Sequence, residues 1–87
     1  MNLKDIDIDL IIKLANGQNE NDNHNIISIT PNSNGSYFEN GKFFDSGILI
    51  DAIVFNAETK NGFNIKAFVR TQDYLSEIRN KKLNSIL

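Results

Sequence analysis

Cysteine and tryptophan are absent from the 87 residues, and proline, histidine and methionine occur once each. Without cysteine there is no disulfide, no thiolate metal site and no cysteine nucleophile, which fits a reducing compartment. The one histidine, His24, sits among asparagines with no second imidazole to share a zinc ion. No apolar run approaches the ~20 residues that a membrane-spanning helix requires. The N-terminus has no basic, then apolar, then small-residue leader, so the expected location is the cytoplasm. The glycines are isolated from one another, which leaves no phosphate-cradling loop. Neither a metal nor an organic cofactor is expected.

What is present describes one ordinary α+β domain spanning 1–87. The apolar fraction is 40% and the charged fraction 23%, enough for a single core with a modest stability margin. The net charge of -2 hides an asymmetry. Up to Asp22, Lys4 and Lys13 face Asp5, Asp7, Asp9, Glu20 and Asp22. From Lys66 onward, Lys66, Arg70, Arg79, Lys81 and Lys82 face only Asp73 and Glu77. A local basic patch is therefore compatible with a mildly acidic chain, although two solvated helix faces account for the same pattern. Four of the five glycines follow asparagine, at Asn16-Gly17, Asn34-Gly35, Asn40-Gly41 and Asn61-Gly62. Each pair tolerates positive φ and marks a turn or a helix end.

Leu3 to Ala15 alternates like a strand, yet Leu3, Ile6, Leu10, Ile11 and Leu14 also form one helical stripe. Three aspartates disfavour a strand, whereas Asp5 or Asp7 suits a helix N-cap and Asn16-Gly17 its C-cap, so a helix is expected. Gln18 to Asn25 reads as a polar loop, and Asn25 to Thr30 as a short strand stopped by Pro31. Ser36 to Asp45 suggests a tight hairpin turning at Asn40-Gly41. Thr71 suits the cap of a last helix from Gln72 to about Leu83, with Leu75, Ile78 and Leu83 as a thin apolar stripe. The sum is a two-layer α+β domain: N-terminal helix, antiparallel sheet of about four to five strands, C-terminal helix, both helices on one sheet face.

Ile48 to Arg70 carries the functional expectation. Two alternating runs, Ile48 to Phe55 and Phe63 to Arg70, form a long hairpin. A four-residue loop, Glu58 to Asn61, sorts the side chains most cleanly. It places Ile48, Ile50, Ala52, Val54, Phe63, Ile65, Ala67 and Val69 under the helices. The other face then carries Leu49, Asp51, Ile53, Phe55, Asn64, Lys66, Phe68 and Arg70 with nothing to cover it. Leu49, Ile53, Phe55 and Phe68 are the apolar anchors expected there, and Asp51, Lys66 and Arg70 the orienting charges.

Catalytic patterns are weaker. Asp51, Glu58 and Lys60 give the D-x(6)-E-x-K skeleton of a metal-dependent nuclease, but that chemistry needs the E-x-K inside a strand, and here it falls in the expected loop. Lys66, Phe68 and Arg70 alternate as in sheets that stack nucleic-acid bases, with Asp51 in the same face opposing that use. Tyr37, Phe38, Phe43 and Phe44 read as a lid on the core. Ile8 to Gln18, IDLIIKLANGQ, resembles the opening helix of short accessory proteins from phages of low-GC bacteria, which run from such a helix into a strand meander. That resemblance, with the asparagine-rich composition, implies a phage-type inhibitor of a host protein, similar in character to anti-CRISPR proteins. The expected function is a non-enzymatic protein-binding module with a host protein as partner. A nucleic-acid-binding domain using the basic and aromatic face, and a homodimeric structural protein, are the alternatives.

Overall fold

The computed structural model describes residues 3–17 and 25–86, the last five by backbone alone. A single 3₁₀ turn, η1 (Leu3–Asp5), leads into α1 (Ile8–Gly17). Four strands follow, β1 (Ile26–Thr30), β2 (Phe38–Asp45), β3 (Ile48–Thr59) and β4 (Asn64–Arg70), and α2 (Thr71–Ile86) closes the order. The expected polar segment at 18–24, with His24, and the side chain of Leu83 lie outside the described residues.

Asp7 starts α1. Its carboxylate accepts from the Leu10 N–H at 3.2 Å, and its carbonyl accepts the first helical bond, from Ile11. At the other end the Asn16 amide holds both backbone groups of Ile26, donating to its carbonyl at 3.1 Å and accepting from its N–H at 2.8 Å. The helix end is thereby tied to the start of β1.

The sheet is antiparallel and built around β3, which pairs with each of the other three strands. β4 pairs with Ala52–Glu58, a stretch that overlaps the segments paired by β2 and by β1. A strand has two edges, so β1 and β2 must share the edge away from β4. They lie end to end, Thr30 opposite Asn56 and Phe38 opposite the adjacent Phe55, and residues 31–37 loop out between them.

Two expected turns fall elsewhere. Asn40-Gly41 lies inside β2, and the hairpin turns at Ser46-Gly47 instead, where both residues have positive φ (54° and 81°), as a two-residue type I′ loop requires. The turn at Ser46 permits eight paired positions between β2 and β3, where a turn at Asn40-Gly41 would permit four within Ser36 to Asp45. The ladder outweighs the stronger local turn signal. Gly41 answers to packing: a Cβ built there would lie 2.6 Å from Val54 Cγ2. Gly41→Ala is therefore expected to destabilise by about 1–3 kcal/mol, and Val54→Ala to recover much of that loss, as thermal melts of the single and double variants would show.

Lys60 to Phe63 join β3 to β4, and the Thr59 N–H donates to the Phe63 carbonyl at 2.8 Å. Gly62 N–H donates to the Thr59 carbonyl at 3.0 Å, and the buried Thr59 hydroxyl accepts from the Phe63 N–H at 3.1 Å. Phe55 consequently faces Ala67 rather than Asn64, a shift of three residues from the expected register, and every face relation between the two strands is exchanged. Ile53, Phe55 and Ala57 join Val69 and Ala67 beneath the helices.

Both helices cover that one face. A single core cluster takes Ile6, Ile11, Ile26, Phe38, Ile53, Phe55, Ala57, Val69 and Tyr74, one or more from every strand and α-helix. In α2 the anchor is Tyr74, which the apolar stripe did not include, with Ile78 packed beside it and Leu75 largely outside. The Tyr74 hydroxyl accepts from the Asp7 N–H at 2.9 Å, and Lys81 Nζ meets Asp7 Oδ2 at 2.8 Å, so one residue both caps α1 and clasps α2. Hydrogen bonds from Lys81 and from the Leu10 N–H hold the Asp7 carboxyl below its ordinary value of 3.8, and the same carboxylate raises Lys81 above 10.5. A lowered acid stabilises the fold above its unfolded pKa and loses that contribution as pH falls through the folded one. A raised ammonium does so below its unfolded pKa and fails as pH climbs through the folded value. The clasp is whole between roughly pH 4 and 10. Asp7→Asn keeps a capping side chain while removing the charge, and is expected to flatten the acid limb of a stability–pH profile below about pH 4.

Candidate protein-docking surface

β4 and the helices cover β3 only as far as Ala52, which pairs with Arg70. The rest of the β2–β3 hairpin, Lys42 to Asp51, is a two-stranded arm projecting past the body. Its side chains alternate as in any strand, but among the described residues neither side meets a second layer. On the helix side Phe44 and Leu49 are cross-strand partners, 76% and 51% exposed. Behind them Lys42 Nζ stands 3.7 Å from Asp51 Oδ1, an exposed ion pair of little intrinsic worth. On the opposite side Ile48 is 65% exposed, and Ile50 pairs with Phe43.

That opposite side continues into the open face of the sheet, where no helix of the described residues lies. Phe43 and Phe68 meet across β3 with ring centroids 4.8 Å apart. The Arg70 guanidinium lies 5.6 Å over the Phe43 ring and bonds Asp45 Oδ2 at 2.9 Å. Val54 pairs with Phe68 on one side and Glu39 on the other, and Lys66 pairs with Asn56. Glu39 Oε1 accepts from Asn32 Nδ2 at 2.6 Å, which fixes the 31–37 loop against the sheet.

The seven residues expected to form one uncovered face are thus split. Lys66, Phe68 and Arg70 do lie on the open face. Leu49 and Asp51 lie on the other face and are exposed because the arm outruns the helices. Ile53 and Phe55 are core, 0% and 2% exposed, with Phe55 edge-on to Phe38 at 5.8 Å. Asp51 stands beside Lys42, and Arg70 pairs with Asp45, so the three expected charges do not gather. Phe63 and Ile65, expected under the helices, are 63% and 38% exposed. Of the four aromatics expected to form a lid, Phe38 is buried, whereas Tyr37 and Phe44 are exposed. Sequence reasoning missed Phe44 as a surface anchor. The signal was available in Ser46-Gly47, because a turn there places Phe44 at the tip.

Asp51, Glu58 and Lys60 do not converge. Glu58 lies within β3 rather than in the loop, on the face opposite Asp51, and Lys60 occupies the turn. Among the described residues no three His, Cys, Asp or Glu side chains gather as metal ligands. A groove of about 590 Å³ runs between η1 and the 31–37 loop, lined mainly by apolar chains including Leu3, Ile6, Ile8 and Tyr37. Among the described residues no helix is long and apolar enough to cross a membrane. No protein-family model, curated protein or solved structure matches the chain.

Proposed function

We propose that this protein is a non-enzymatic binding module that docks on a larger protein through the β2–β3 arm and thereby inhibits or modulates it. The arm supports this reading: Phe44, Leu49 and Ile48 stand in solvent at its tip. Two strands alone are at best marginally stable in water, and none of these three side chains belongs to the core cluster or packs against it. Aromatic and aliphatic anchors flanked by charge, here Lys42 and Asp51, match the make-up of interface hot spots. The resemblance of Ile8 to Gln18 to phage accessory proteins makes a bacterial host protein in the cytoplasm the proposed target, by analogy with anti-CRISPR inhibitors.

Base stacking on Phe43 and Phe68 is the second reading, supported by Lys66 and Arg70 on the same face. Asp45 occupies Arg70, and Glu39 and Glu58 add negative charge, so the face has no net positive field. The experiment is affinity capture from host lysate on immobilised wild type and on Phe44→Ser/Leu49→Ser side by side. A protein retained by the first and lost from the second supports the arm as docking site. Equal retention on both contradicts it.

A further inference from the structure

We infer that the open face of the sheet binds a second copy of this chain, forming a two-fold sandwich that leaves the Phe44 and Leu49 side of each arm free. The even-numbered positions of β3 supply an apolar stripe, Ile48, Ile50 and Val54, flanked by Phe43 on β2 and Phe68 on β4, with Ala52 between them already covered at 2% exposure. Charge lies to either side of it. β4 contributes Lys66 and Arg70, and β2 contributes Glu39 and Asp45. Two sheets stack face to face about 10 Å apart with strands roughly aligned, and a homodimer places a two-fold axis between them.

The charge pattern selects the axis. A two-fold perpendicular to the strands lays β4 on β4 and β2 on β2, like charge over like. A two-fold running along β3 lays each β4 over the partner's β2, with the apolar stripes in register between them and the partner's Glu39 level with Phe68, between Lys66 and Arg70. Glu58, at the far end of β3, is carried away from its counterpart by the ~30° crossing usual for such sheets. Within one chain Arg70 is already satisfied by Asp45. Lys66 makes no ion pair among the described residues, and Glu39 is held in place by Asn32. Lys66 against the partner's Glu39 is therefore the contact that the second copy completes.

Sedimentation equilibrium from about 1 to 200 μM tests this on the full chain. The expected mass rises from 9.8 kDa towards twice that value. Lys66→Glu and Glu39→Lys are each expected to weaken the dimer at least ~10-fold, and the two together to restore it, which a merely structural effect would not do. Phe68→Ala is expected to abolish the dimer while the far-UV spectrum stays native. A monomer at every concentration overturns the proposal, as does a dimer indifferent to Phe68→Ala and Lys66→Glu, or a double reversal no tighter than either single. None of these failures touches the arm's Phe44 and Leu49 side, so docking on another protein stands or falls separately.

Discussion

Phe55→Ala is expected to cost about 3–5 kcal/mol and to lower the melting temperature by roughly 15–30 °C. Phe55 is 2% exposed on the central strand, beneath both helices and edge-on to Phe38. Truncation removes the largest side chain that β3 gives to the core and leaves a cavity walled by strands on both sides, where collapse is hard. A domain of this size holds a total stability of only ~5–10 kcal/mol, so the variant would stand near its unfolding threshold. The check is urea denaturation with the m-value compared to wild type. The result also reads the register: had the hairpin closed on Glu58 to Asn61, with Phe55 opposite Asn64, Phe55 would lie on the open face and its loss would be minor.

The second large effect concerns binding. Phe44→Ser and Leu49→Ser are each expected to weaken partner association by about 2 kcal/mol, or ~30-fold, and their combination by more than either alone. Both side chains are more than half exposed, so the melting temperature should move by no more than ~2 °C. Titration calorimetry against the captured partner, with melts of the same samples, measures both halves. An anchor that lowered stability as much as affinity would belong to the fold.

The layers and element order were legible because they rest on robust signals. Asp7 and Asn16-Gly17 delimit α1, Pro31 follows β1, and Ile65, Ala67 and Val69 alternate with Lys66, Phe68 and Arg70 in β4. The face of β3 was not legible from Ile48 to Phe55, because that stretch is apolar on both sides and fits either register. The deciding residues come later: Asn56 and Glu58 are polar and Ala57 is not, so the odd positions must point inward. Ending the strand at Phe55 discards that evidence and reverses the assignment of Ile53 and Phe55. The β2 turn failed for a different reason. Asn-Gly outranks Ser-Gly as a local hairpin signal, but the choice depends on ladder length, a property of the whole sheet. Tyr74 escaped because its burial depends on Asp7, 67 residues away in sequence.

The absence of cysteine allows a clean measurement of whether the arm is a docking surface. A single Leu49→Cys chain carries one thiol at the arm's tip, and its alkylation rate reports cover at that position. Free in solution the thiol should react about as fast as an unfolded control, and in complex with the captured partner at least ~10-fold more slowly. Slow reaction in the free protein, or an unchanged rate in the complex, would contradict the account.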